Sequence, residues 1–186
     1  MHDADVVLAR MAALAGGFAR LTPGLTIQEL TDVERRYGFI FPPDLASFLR
    51  HTVPIGTYWP DWRDGPEADL ARLVRRPKDD LMGAFAQGLF WWPGWGEQSS
   101  DESEDAATAW RELALVPPLI PVYLHRYLPS EPREAGNPII SWYFDDAIVI
   151  AADLESYFRW ELDPPARLPD PATVRRVAFW SELIKR

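Results

Sequence analysis

The chain of 186 residues contains no cysteine, which excludes disulfides and any thiolate metal site and makes the cytosol the expected compartment. It has three histidines, His2, His51 and His125, and no two stand at a metal-ligand spacing. With no Cys and no His pair, neither a metal nor a cofactor is expected. No HExxH, Gly-rich phosphate loop or GxSxG occurs, so no motif points to an enzyme. Long apolar runs are also missing; none approaches the ~20 residues a membrane helix needs. The start, Met1-His2-Asp3-Ala4-Asp5, is acidic, and Arg10 interrupts the first apolar stretch, the reverse of a signal peptide.

Basic residues are scarce and unevenly placed. They number 19 against 28 acidic ones, a net charge of −9. From Asp79 to Trp110 there is no Lys or Arg, while Asp79, Asp80, Glu97, Asp101, Glu102, Glu104 and Asp105 give a local charge of −7. A second stretch, Glu134 to Phe158, is also free of basic residues and carries Glu134, Asp145, Asp146, Asp153 and Glu155. Such a field repels nucleic-acid phosphates and anionic lipid, so neither nucleic acid nor membrane is expected as a partner. It attracts a basic protein and speeds encounter with it; the plainer alternative is a solvated loop that aids solubility.

What is present suits one folded domain: 47% hydrophobic residues, 25% charged, and a length within the usual domain range. Residues 2–15 read as a helix with Val6, Leu8, Met11 and Leu14 as apolar positions. Leu25 to Tyr37 reads as the clearest helix. Thr26 and Glu29 have capping-box spacing, Ile27, Leu30, Val33 and Tyr37 form one apolar face, and Gly38 follows where a left-handed residue is wanted. Pro42-Pro43-Asp44 opens a second helix burying Leu45, Phe48 and Leu49. Thr57-Tyr58-Trp59 reads as a short strand, and Asp69 to Arg75 as one or two helical turns. Gln98 to Asp105 reads as an acidic loop.

The second half is richer in strands. Leu119 to Tyr123 is one, and Arg126 to Leu128 continues or pairs with it. Ile139 to Phe144 alternates, with Ile140, Trp142 and Phe144 on one side. Asp145-Asp146 turns the chain into a returning strand, Ala147 to Ala151. Asp153 caps a helix burying Leu154, Tyr157 and Phe158. After the linker Pro164 to Pro169, Asp170-Pro171 opens a last helix through Ile184. This order predicts an α+β fold, a largely antiparallel sheet flanked by helices in a single domain. Residues 1–24 form an N-terminal helical extension, 25–163 the α+β domain, and 164–186 a C-terminal helix packed on it.

The run Val33-Glu34-Arg35-Arg36-Tyr37-Gly38-Phe39-Ile40-Phe41-Pro42-Pro43-Asp44-Leu45 resembles the opening of the SUKH superfamily: a helix bearing Glu, a Gly turn, then Phe-Pro-x-Asp and a helix. Tyr58-Trp59-Pro60-Asp61-Trp62-Arg63 is similar to that family's Trp-containing strand and loop. Phe90-Trp91 with Gly94-Trp95-Gly96 is similar to its mid-domain segment. Leu119 to Pro129 and Gly136-Asn137-Pro138-Ile139-Ile140-Ser141 resemble a stretch of its bacterial members. The resemblance covers about residues 25–160. One departure stands out: where many members carry Asn-Gly after the second helix, this chain reads His51-Thr52-Val53-Pro54-Ile55-Gly56. The resemblance implies a non-catalytic role, typically an immunity protein that neutralises a polymorphic toxin by binding it. The family's yeast regulator of cell-wall synthesis suggests the alternative of a scaffold with several partners.

Nine Trp are many for this length, and Trp142, Trp160 and Trp180 fit a core. Three Trp on the bent Trp91-Trp92-Pro93-Gly94-Trp95 cannot all easily point inward, and the acidic stretch follows directly. An aromatic anchor with a charged rim is the anatomy of an interface hot spot. The candidate partner-binding residues are therefore Trp59, Trp62, Trp92, Trp95, Asp101, Glu102, Glu104 and Asp105, with His125 and Arg126 at the rim. The partner expected is a protein, in particular a basic toxin domain. Carboxylates beside Trp, such as Asp61 or Asp145-Asp146, leave a carbohydrate-binding or carbohydrate-acting reading as a further alternative.

Overall fold

The computed structural model describes residues 17, 19–144, 146–162 and 168–184. The helix expected over 2–15, His2, Asp145 of the hairpin turn and most of the linker from Pro164 lie outside the described residues. The elements run β1 (Arg20–Pro23), α1 (Ile27–Tyr37), α2 (Pro43–His51), β2 (Thr52–Ile55), α3 (Glu67–Ala86), a 3-10 turn (Pro93–Trp95) and α4 (Glu102–Leu115). There follow β3 (Leu119–Tyr123), β4 (Arg126–Pro129), β5 (Ile139–Tyr143), β6 (Asp146–Ala151), α5 (Leu154–Leu162) and α6 (Trp180–Leu183). The fold is α+β, with an antiparallel sheet flanked by helices. No helix among the described residues is long and apolar enough to cross a membrane.

Local chemistry accounts for the first helices. The Thr26 hydroxyl accepts from the Glu29 N–H at 3.1 Å, and the Glu29 carboxylate accepts from the Thr26 N–H at 2.7 Å. Two orphan donors of α1 are thereby satisfied. At its other end Gly38 takes φ 72°, a left-handed conformation that a Cβ disfavours, and its N–H reaches the Glu34 carbonyl. Pro43 starts α2, which buries Leu45, Phe48 and Leu49.

The meander β3-β4-β5-β6 is antiparallel throughout. Its side chains alternate between two cores, because successive residues of a strand face opposite sides. Ile120, Val122, Leu128, Ile139 and Ile150 join Leu30, Val33, Leu45 and Phe48 in the first. Leu119, Tyr127, Ile140, Trp142 and Ala147 join Leu81, Leu113, Val177 and Trp180 in the second. Helix α3 packs beside edge strand β3 and serves both cores, Leu70 and Val74 the first and Leu81 the second. A separate ribbon pairs β1 with β2, Arg20 opposite Ile55, so residues 20–23 of the stretch read as an extension are hydrogen-bonded to the chain beyond α2.

Four local expectations are corrected. Thr57-Tyr58-Trp59 is a turn; the strand lies earlier, at Thr52–Ile55, where β1 supplies its partner. The expected short turn from Asp69 to Arg75 is the start of a helix of 20 residues that runs straight through Pro77. An internal proline costs ~3 kcal/mol. Burying Leu70, Val74, Leu81 and Phe85, at roughly 1.5–3 kcal/mol each, outweighs it. Phe144 leaves β5 at φ 53° and is exposed, so it does not share the buried side of Ile140 and Trp142. The last helix is confined to Trp180–Leu183. Ahead of it the Asp170 carboxylate accepts from the Ala172 N–H and holds a turn, and the Val177 N–H is taken by the Ser181 hydroxyl. The anchor is Trp180, buried, with its indole N–H on the Pro117 carbonyl at 2.8 Å. The segment therefore follows its contacts rather than a helical period, with Val177 and Trp180 in the second core.

Candidate functional site

The residues that carry the family resemblance act as joints. The Glu34 carboxylate accepts from the Phe41 N–H at 3.0 Å and closes the loop between α1 and α2. Asp44 accepts from the Leu45 N–H and, across 92 positions, from the Gly136 N–H, each at 3.0 Å. Burial raises the Asp44 carboxyl above its ordinary value. Asn137 donates to the carbonyls of Pro129 and Pro132 and accepts from Arg175. Arg63 donates to Glu29 at 2.7 Å and to the carbonyls of Pro23 and Gly24. That guanidinium holds the Glu29 carboxyl down at about 2. Asp61 accepts from the N–H groups of Arg63 and Asp64, so its carboxylate ties a turn.

Among the expected partner-binding residues, Trp62 and Asp105 are corrected to structural positions. Trp62 is 4% exposed and surrounded by the rings of Tyr37, Phe39 and Phe41 at 5.5–5.9 Å. Its apolar bulk is used inside the first core. Asp105 is 7% exposed and accepts from the Ser99 N–H at 2.9 Å, fixing the loop that leads into α4. The acidic loop itself is largely a helix start. Asp101 caps α4 by accepting from the N–H groups of Ser103 and Glu104, and those bonds hold its carboxyl below the usual range. Carboxylates in a first turn also suit the helix dipole.

The remaining residues gather in two places. The first is the bent Trp segment, which packs against α4. Trp91, Trp92 and Trp95 are all half-buried. Trp95 stands edge-on to Phe90 and Trp91 and packs on the second core. Trp92 lies 4.8 Å from Phe179. In the stretch that follows, Glu97, Glu102 and Glu104 are exposed, and their carboxylates hold no hydrogen bond or ion pair among the described residues. A groove of about 630 Å³ opens here, lined by Phe90, Trp91, Trp92, Pro93, Gly94, Glu182 and Leu183.

The second place is a cleft of about 380 Å³ near the β3–β4 turn. Tyr58 and Trp59, Leu73 and Arg76 of α3, His125, and Tyr143 of β5 line it. Tyr143 and His125 meet edge to face at 6.1 Å, and Tyr58 and Tyr143 are exposed. Burial, with Arg126 and Arg76 nearby, lowers the His125 pKa and favours the neutral ring. Arg126 stands 5.7 Å over the Trp160 ring and donates to the Ser141 hydroxyl at 2.6 Å, which makes it a support for the cleft more than a rim.

The structure thus separates Trp92, Trp95, Glu102 and Glu104 from Trp59 and His125, which the sequence grouped together. Sequence reasoning passed over Trp91, Glu182, Tyr58, Arg76 and Tyr143. Trp91 had a local signal as one of three Trp on the bent segment, and Tyr143 had one because it alternates with the buried Trp142 on β5. Among the described residues no three of His, Asp and Glu assemble into a group suited to a metal ion. No family model matches the chain, and no curated protein and no solved structure matches it either.

Proposed function

We propose that the protein is a non-catalytic protein-binding domain of the SUKH type, an immunity protein that neutralises a basic cognate toxin by covering it. One observation carries this reading: exposed carboxylates without partners among the described residues, Glu97, Glu102 and Glu104, follow the half-buried Trp rings in one stretch of the chain. Acidic residues that served the fold alone would be engaged, as Asp101 and Asp105 are. The free carboxylates steer a basic partner, and the rings supply contact area at low entropic cost once it arrives. The joints at Glu34, Asp44 and Asn137 support the family assignment, because they connect segments that the resemblance singles out.

Co-expression with the product of the neighbouring reading frame tests the proposal. The expected result is a complex of equal stoichiometry in size-exclusion chromatography and a host that survives the toxin. A neighbour whose toxicity persists in the presence of excess protein, or that elutes apart from it, would overturn the reading.

A further inference from the structure

The groove at the Trp segment has a ligand chemistry that its walls define. Its rings are fixed before anything binds. The Trp91 indole N–H is spent on the Gly96 carbonyl at 2.7 Å, and the Trp91 and Trp95 rings stand at 86° with centroids 5.3 Å apart. Trp92 lies 4.8 Å from Phe179, tilted against it, and Gly94 comes close to the edge that bears its indole nitrogen. A Cβ at residue 94 would sit 2.7 Å from the Trp92 Nε1, so only glycine lets the ring take this place. Fixed walls spare a ligand the cost of ordering them.

The electrostatics of these walls have one sign. Phe90, Trp91 and Trp92 present aromatic surface, whose π faces are negative. Among the described residues Glu182 is the only charged one lining the groove, and its exposed carboxylate has no ion pair or hydrogen bond there. The free Glu97, Glu102 and Glu104 lie on the adjoining segment, in a stretch without any Lys or Arg. An anion is repelled here, and a neutral apolar group gains nothing from the carboxylate. A cation is attracted twice, by the ring faces and by Glu182.

We infer that this groove is a receptor for a cationic side chain, an arginine guanidinium or lysine ammonium of the partner, with Trp91 and Trp92 as walls and Glu182 as counter-ion. The identity of the occupant as a partner's side chain rests on the protein-binding function proposed above. The cation preference itself stands on the groove and is tested without any toxin.

The test titrates the full chain with a short neutral peptide carrying one central arginine, following the indole N–H resonances of Trp91 and Trp92 and the Trp fluorescence. The same peptide with citrulline, uncharged but nearly isosteric, and with glutamate are the comparisons. The arginine peptide is expected to move both resonances saturably, and the other two are expected to leave them in place. Glu182→Gln, an exposed change that leaves the fold intact, is expected to weaken the arginine peptide roughly tenfold, and Trp91→Leu by a similar factor. Equal shifts from citrulline overturn the proposal, as do shifts from a neutral oligosaccharide or no shift at all. If the peptide binds but no toxin does, the receptor stands and the immunity reading fails. If the toxin binds with unchanged affinity to Glu182→Gln and Trp91→Leu and the peptide does not bind, the immunity reading stands and the receptor fails.

Discussion

At the scale of single residues, the same side-chain types divide between building the fold and facing outward, and surroundings decide which. Trp62 and Trp92 have equal apolar area, yet Trp62 sits inside a ring of Tyr37, Phe39 and Phe41 while Trp92 covers the edge of the second core. Truncation separates these roles. Trp62→Ala removes a fully packed indole and leaves a cavity between α1 and the following loop. The expected cost is about 3–5 kcal/mol, the range for large aromatic-to-alanine changes in cores. Chemical denaturation followed by circular dichroism checks it. A loss below ~1 kcal/mol would mean that the site is solvated and that Trp62 is free to serve an interface after all. Asp105 is read in the same way: its carboxylate meets a backbone donor, so replacing it alters the loop before it alters any surface.

At the scale of elements, a terminus with a side-chain partner is short-range information, and a segment that obeys distant contacts is not. The capping box of Thr26 and Glu29 and the left-handed Gly38 are read directly from residues three or one apart, so α1 was fully legible. The hairpin of β5 and β6 and the Asp153 start of α5 were legible for the same reason. Helix α3 was not, because Pro77 reads locally as a stop. Only the packing of Leu70, Val74 and Leu81 on two cores overrides it, and those cores are assembled from strands fifty residues away. The end of the chain misled in the opposite direction: its apolar spacing suits a long helix, while Asp170 holds a turn and the buried Trp180 anchors only a short helix at Trp180–Leu183. For the site, the composition of the Trp and acidic stretch was visible. Its grouping with Trp59 and His125 was not separable without the sheet, and Glu182 arrives from the far end of the chain. The local origin of α1 has a measurable consequence. Thr26→Ala removes one half of the capping box and is expected to cost about 1 kcal/mol. Thr26→Ser keeps the hydroxyl and is expected to cost little. Equal losses for the two variants in thermal or urea unfolding would show that the cap contributes nothing.

At the scale of the whole molecule, the sheet sits between two cores, α3 and β3 tie them together, and the acidic residues Glu97, Asp101, Glu102 and Glu104 are exposed at and just before the start of α4. Charge placed this way acts before contact, because its field reaches about a Debye length, ~10 Å at 0.1 M salt and ~3 Å at 1 M. Of the carboxylates there, Glu97, Glu102 and Glu104 hold no hydrogen bond or ion pair among the described residues. A triple variant Glu97→Lys, Glu102→Lys and Glu104→Lys changes the local charge without touching the Asp101 cap or the Asp105 bond. Its melting temperature is expected to fall only modestly, through the loss at Glu102 and Glu104 of first-turn carboxylates that suit the helix dipole. Association with a basic partner is expected to slow by roughly tenfold or more at low ionic strength, since steering of this kind raises on-rates by 10–10³. The two proteins' on-rates should converge as salt approaches 1 M, with off-rates changed much less, because rim charges govern encounter while the aromatic contacts hold the complex. Stopped-flow association across a salt series reads both effects. On-rates of parent and variant that agree at every salt concentration would remove the electrostatic part of the mechanism and leave the Trp segment to act by shape alone.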